Sequence, residues 1–171
     1  MAKHQKYFSL RLPKSLYPAP CFIVVSNVEA DDGGAQMIAG NERVLRARLS
    51  DAKFFWDNDL RTVTSGAGME TWVKALENVP FHNKLGTQAE LIDRMATLSR
   101  ELAPLVGADA DEAEQAARVA KADLSSEMVY EFPELQGLMG SYYARKAGLS
   151  DAVADAAKDH YAPLGPSDDV P

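Results

Sequence analysis

The chain has 171 residues, a formal net charge of −7 and a single cysteine. This length suits one domain with its own core, a lone cysteine excludes an internal disulfide, and the negative charge argues against a whole surface that binds nucleic acid. No apolar run reaches the ~20 residues of a membrane span, and the N-terminus lacks a signal-peptide core. We therefore expect a soluble, cytoplasmic protein with no membrane partner.

Two extended runs open the chain. The segments KYFSLRL (6–12) and CFIVVSNV (21–28) are rich in aromatic and β-branched residues, and PKSLYPAP lies between them. This pattern predicts two β-strands joined by an irregular connection. Because two strands alone form a marginal sheet, they must either pack on the following helices or belong to a larger sheet whose other strands lie outside the chain.

A long helix is predicted next, from about Gln36 to Leu60. Its apolar residues gather on one side of a helical wheel, with two more at the margin of the arc. These are Ile38, Leu45, Leu49, Ala52 and Trp56, flanked by Val44 and Phe55. We expect a long helix that packs along this one face.

The rest of the chain reads as further helices. After the glycine-rich TSGAGM (64–69), helical patterns cover METWVKALENV (69–79), Leu85 to Leu102, Asp111 to Tyr130, Pro133 to Ala147 and Ser150 to His160. The final YAPLGPSDDVP has three prolines and no periodicity. The predicted fold is mainly α, with a β-strand remnant of a preceding module at 1–34, a helical domain at 35–161 and a linker or truncated end at 162–171.

Three basic residues form a stripe beside the apolar arc of the long helix. Arg43, Arg46 and Lys53 could grip phosphates, whereas the alternative is an ordinary solvated basic face.

Arg48 differs, since the wheel places it inside the apolar arc. A buried arginine needs a carboxylate partner, because an unpaired buried charge costs several kcal/mol. Asp123 and Glu127, one helical turn apart, are the predicted partners of Arg48. The alternative is that both acids lie on a solvated edge.

The segment EFPELQGLMG (131–140) carries two unexplained glycines. Pro133 suits the first position of a helix, and Gly137 and Gly140 then lie inside it, where each costs roughly 1 kcal/mol relative to alanine. Such a cost indicates close contact with a neighbouring helix or with a ligand.

The sequence gives no support to a metal or nucleophile site. Its three histidines, His4, His82 and His160, form no pair with ligand spacing, and neither a phosphate-binding glycine loop nor a nucleophile elbow is present.

Three blocks resemble the β subunit of the bacterial-type tetrameric glycyl-tRNA synthetase. They are IAGNERVLRARLSDAKFFWDNDL (38–60), VPFHNKLGT (79–87) and KADLSSEMVYEFPELQGLMGSYYA (121–144), with DHYAPLGPSDDVP behind them. The resemblance covers nearly the whole chain. It implies an α2β2 ligase that joins glycine to tRNA(Gly), in which the α subunit uses ATP and Mg and the β subunit positions tRNA. The chain is expected to be an internal fragment of that subunit, inactive alone and without a cofactor.

The resemblance also implies a helical bundle related to the HD superfamily. An HD phosphohydrolase needs an adjacent His-Asp pair among its metal ligands, because the metal activates a water. In this resemblance Ala122 and Asp123 occupy the positions of that pair, and His82 corresponds to an earlier histidine ligand, so the metal site is expected to be degenerate. A metal-dependent HD-type phosphohydrolase and a pure protein-interaction module remain the alternative functions.

Overall fold

A computed structural model of the chain describes residues 6–15 and 17–171. The chain divides into two compact units, of which the first ends at Ala47 and the second begins at Arg48. The predicted fold class is confirmed, since the structure is mainly helical with a short antiparallel sheet near the N-terminus. The relation to HD bundles and the predicted domain boundaries stay predictions. Within the described part of the chain, no helix is both long and apolar enough to cross a membrane.

The first unit contains both predicted strands. Strand β1 (Tyr7–Arg11) pairs antiparallel with β2 (Pro18–Val24), with a shift of register between Ser9 and Arg11. Helix α1 begins in this unit, and the Tyr7 hydroxyl donates a 2.6 Å hydrogen bond to Asn41 Oδ1 on it. This hydrogen bond joins β1 to the first turns of α1 within the first unit.

Helix α1 spans Ala35–Val63, slightly longer than predicted. Only part of the predicted apolar face is packed. Ile38 and Leu49 are 54% and 60% exposed, whereas Ala52, Phe55 and Trp56 pack against the core of the second unit. Helical periodicity shows which residues share a face, but only the neighbouring elements decide how much of that face is covered.

The second unit continues with short helices and one small hairpin. Its elements are α2 (Glu70–Ala75), β3 (Pro80–His82), β4 (Gly86–Thr87), α3 (Gln88–Leu102), α4 (Ala110–Val119), α5 (Glu127–Glu131), α6 (Leu138–Lys146) and α7 (Asp151–Asp159). Single 3-10 turns lie at Leu76–Asn78, Ala103–Val106, Ala122–Ser125 and Pro133–Leu135. The β3–β4 hairpin, which contains His82, was not predicted, because strands of three and two residues are too short to show a period.

Tyr143 lies at the centre of the core and is fully buried. Its ring stacks on Trp56 at a centroid distance of 5.2 Å and meets Trp72 edge-on at 5.1 Å. Such aromatic pairs contribute about 0.5–1.5 kcal/mol each beyond the area they bury. This aromatic cluster joins α1, α2 and α6.

Two helices predicted as continuous are interrupted. The helix expected from Asp111 to Tyr130 is replaced by α4, a 3-10 turn and α5, because Ser126 is extended (ψ 150°) and its hydroxyl caps the Val129 amide. The helix expected from Pro133 breaks at Gly137, whose φ of +77° favours glycine, and α6 starts only afterwards. At both breaks a side chain caps the helix that follows by accepting backbone amides, and helical periodicity does not reveal such caps.

A capping box starts α3. The Thr87 hydroxyl accepts the Glu90 amide, and the Glu90 carboxylate accepts the Thr87 amide at 2.7 Å.

Thr87→Ala should therefore lower the free energy of unfolding by about 1 kcal/mol in urea denaturation. Thr97→Ala in the same helix is the matched control, since the Thr97 hydroxyl only donates to the Asp93 carbonyl within the helix. Equal losses in the two variants would contradict a capping contribution.

Candidate functional site

Two carboxylates are buried in the second unit. Asp59 on α1 is 2% exposed, and Asp123 in the 3-10 turn before α5 is 0% exposed. A buried carboxylate is costly unless hydrogen bonds satisfy it. Both side chains accept backbone amides at the start of a helix, where four N–H groups lack partners within the helix. Each therefore acts as a cap supplied from outside the helix that it caps, Asp59 from 68 residues away and Asp123 from 14 residues away.

Asp59 joins three elements. Its two carboxylate oxygens accept the amides of Glu127 at 2.9 Å and Met128 at 3.1 Å, and Oδ2 also accepts the Tyr143 hydroxyl at 2.7 Å. Burial, together with this carboxylate, raises the pKa of Tyr143 above its usual value. Asp59 thus fixes the start of α5 and the central tyrosine of α6 to α1.

Sequence reasoning missed Asp59, although a signal was present. Leu45, Ala52 and Asp59 are seven residues apart and therefore share one side of α1. An acid on the apolar arc of a helix indicates a buried carboxylate with dedicated donors.

Asp123 caps α6. Its Oδ2 accepts the amide of Gly137 at 2.6 Å and that of Gly140 at 3.0 Å. Its Oδ1 is buried and has no hydrogen-bond partner among the described residues. Burial raises the pKa of Asp123, while the two amides and the charge of Lys121 act in the opposite direction.

The two glycines lie where other groups approach the backbone. A Cβ on Gly140 would be 3.0 Å from Asp123 Oδ2, and a Cβ on Gly137 would be 3.0 Å from the Tyr161 ring and 3.1 Å from the Ala157 carbonyl. The structure therefore places both glycines at tight contacts within the protein, at the carboxylate of Asp123 and beside Tyr161.

A half-buried polar cluster lies beside Gly137. Lys121 Nζ is 3.1 Å from His160 Nε2, 3.2 Å from the Tyr161 hydroxyl and 4.3 Å from the centre of the Tyr161 ring. The Gln136 amide also donates to the Tyr161 hydroxyl. Burial lowers the pKa of Lys121 and of His160 and raises the pKa of Tyr161 to about 12.

The predicted ion pair between Arg48 and Asp123 or Glu127 is wrong. Arg48 contacts Glu131 at 3.6 Å, and the two side chains are 48% and 43% exposed. The Glu127 carboxylate instead accepts a hydrogen bond from the side-chain amide of Asn58 at 2.9 Å. Because the N-terminal part of the α1 apolar arc is not covered, Arg48 remains in contact with solvent, and such a pair contributes about 0–1 kcal/mol.

The three basic residues proposed for nucleic acid differ in their surroundings. Arg43 and Arg46 are exposed in the first unit, and neither has an ion-pair partner in the described part of the chain. Lys53 belongs to the second unit and pairs with Asp57 at 2.5 Å.

The two positions compared with HD metal ligands have unlike environments. His82 is exposed on β3, and its Nδ1 accepts the Lys84 amide at 3.2 Å, whereas Asp123 is buried. Across residues 6–15 and 17–171, no group of three or more His, Cys, Asp or Glu side chains is placed to hold a metal ion. The chemistry shown by the buried acids is the binding of backbone amides.

Asp59→Ala should be strongly destabilising. It leaves two amides and the Tyr143 hydroxyl without their acceptor in the core, which predicts a loss of about 3 kcal/mol or more. Asp57→Ala, two residues away on the same helix, breaks only the exposed pair with Lys53 and should cost less than about 1 kcal/mol. Urea denaturation of both variants measures the difference, and comparable losses would contradict the capping role of Asp59.

Alanine substitution should have opposite effects at two helical glycines. Gly140→Ala sets a methyl against a carboxylate that is fully buried and held by two amides, so it should destabilise by about 1–3 kcal/mol. Gly40→Ala in α1 meets nothing within 4 Å and should stabilise by up to about 1 kcal/mol. Thermal unfolding of both variants provides the test, which fails if Gly140→Ala also stabilises.

Comparison with known proteins gives one consistent result. The family model described as the glycyl-tRNA synthetase beta subunit matches residues 1–171. The glycine–tRNA ligase beta subunits of Ruegeria sp. (strain TM1040), Paracoccus denitrificans (strain Pd 1222) and Rhodospirillum centenum are 66%, 60% and 51% identical to the chain. All of this chain is covered, but it spans only 25%, 24% and 24% of those relatives. The chain belongs to the glycyl-tRNA synthetase β-subunit family.

Proposed function

We propose that this chain is a non-catalytic segment of a glycine–tRNA ligase β subunit, and that it supports ATP-dependent glycylation of tRNA(Gly) through tRNA positioning and subunit architecture. The observation that carries the proposal is the family match over residues 1–171. In the whole enzyme, an α2β2 assembly, the α subunit binds ATP and Mg and performs the chemistry.

The interior of the second unit supports an architectural role. The oxygens of Asp59 and the Oδ2 atom of Asp123 are occupied by amide or hydroxyl donors from α5 and α6. A general base or a nucleophile would have to be accessible to a substrate, and both side chains are almost fully buried. Their arrangement favours a rigid scaffold.

The arginines of α3 and α4 also serve the scaffold. Arg100 contacts Asp111 and Glu114, and Arg118 contacts Glu114 and Asp93, at distances from 2.5 to 3.2 Å. The adjacent acids raise the pKa of both arginines and neutralise their charge locally. They are therefore poor candidates for contact with phosphate.

Arg43 and Arg46 are the better candidates for contact with RNA. Both are exposed, and they are three positions apart on one helix, so their side chains lie on neighbouring turns. Lys53 is proposed as a weaker contributor, because its ammonium group already pairs with Asp57.

Binding of tRNA should depend on salt through these arginines. In the complete enzyme with both subunits, Arg43→Gln and Arg46→Gln should each weaken tRNA binding and reduce the slope of log K against log salt by about 1. Lys53→Gln should change the slope less. Arg61→Gln, an exposed arginine at the last turn of α1, is the matched control. Fluorescence titration from about 50 to 200 mM salt measures the slope.

Three outcomes test separate parts of the proposal. Glycine-dependent ATP–pyrophosphate exchange should be unaffected by the arginine substitutions if they act only on tRNA. An unchanged salt slope for Arg43→Gln and Arg46→Gln would contradict the phosphate contacts. If deleting residues 48–171 from the β subunit left assembly with α and glycylation intact, the architectural role would be wrong.

A further inference from the structure

The two faces of the β1–β2 sheet have different surroundings in the first unit. Tyr7, Phe22 and Val24 are half-buried, and the rings of Tyr7 and Phe22 meet edge-on at 5.5 Å. On the opposite face, Phe8 pairs with Ile23, and these side chains are 43% and 48% exposed. Leu10 lies on the same side as Phe8 and is 36% exposed. An apolar surface of this kind on an isolated pair of strands indicates a covering partner.

The two edges of this sheet also differ. Strand β2 contains Pro18 and Pro20, which have no N–H group and therefore cannot donate to a neighbouring strand. Strand β1 contains no proline or glycine, and among the described residues it pairs only with β2. The β1 edge is therefore the one that can form a full ladder of hydrogen bonds with another strand.

The comparisons limit what that strand can be. The chain spans about a quarter of the length of the curated relatives it matches, so about three quarters of a related subunit lies outside it. A strand from the same polypeptide is at high effective concentration, because it is tethered to β1. A second copy of the chain has no such advantage.

We infer that β1 pairs along its free edge with an extended strand from the part of the β subunit outside these 171 residues, and that the same part of the subunit covers the face of Phe8, Leu10 and Ile23. Main-chain hydrogen bonds provide the binding energy at the edge, and the apolar face fixes the register of the added strand. This inference concerns the assembly of the subunit and does not depend on the proposed contacts with tRNA.

Amide hydrogen exchange on the 171-residue chain and on the complete β subunit tests the edge. The outward-facing amides of Tyr7–Arg11 should exchange about 100-fold more slowly in the complete subunit, while the amides that β1 shares with β2 should change less. Equal exchange in the two proteins would overturn the inference. The short chain is also tested at several concentrations. If its β1 amides exchange slowly only where sedimentation shows a dimer, the inference is overturned and a second copy of the chain is the partner.

A pair of lysine substitutions tests the covered face. In the short chain, Ile23→Lys and Val28→Lys should each shift the melting temperature by only about 2 °C, because both side chains are already exposed. In the complete subunit, Ile23→Lys should lower it by about 5 °C or more, and Val28→Lys, which lies outside the strands, should not. The milder Ile23→Ala should give a smaller shift of the same sign. Equal melting temperatures for Ile23→Lys and Val28→Lys in the complete subunit would overturn the covering of this face.

Discussion

The second unit depends on buried carboxylates that accept the free amides at the starts of helices. Asp59 holds the first turn of α5, and Asp123 holds the first turn of α6. Helices of five and nine residues are too short to be stable in isolation, so their formation requires tertiary partners. The caps provide such partners from positions that are distant in sequence or outside the capped helix, which makes the helices and the packing mutually dependent.

The glycines and aromatics around these caps follow from the same constraint. A carboxylate can reach the Gly140 amide closely because no Cβ stands between them, and Gly137 adopts a positive φ that turns its amide toward Asp123. Tyr143 supplies both a donor and apolar packing. Its hydroxyl donates to Asp59, and its ring packs against Trp56 and Trp72. The same residues thus provide both hydrogen-bond partners for the helix starts and apolar packing, while Asp123 Oδ1 has no hydrogen-bond partner among the described residues.

Membership of the glycyl-tRNA synthetase β-subunit family gives these features a context. In a segment that spans about a quarter of the length of its relatives, a helical unit whose buried acids accept the amides of other elements accords with the architectural role proposed above. The exposed arginines on α1 are the residues proposed to contact RNA, and the exposed face of the β1–β2 sheet is the surface inferred to be covered by the rest of the subunit.

The sequence by itself determined the mainly helical class, the two N-terminal strands, the long helix α1 and the family, because these depend on local periodicity and on long ordered blocks of residues. It also indicated that Gly137 and Gly140 make close contacts, because glycine inside a helix is otherwise costly. Only the tertiary structure decided the partner of Arg48, the breaks before α5 and α6, and the burial of Asp59. These depend on hydrogen bonds between residues up to 84 positions apart, which no local pattern encodes. The amphipathic pattern predicted which residues share the apolar face of α1, but the neighbouring elements determine which part of that face is buried.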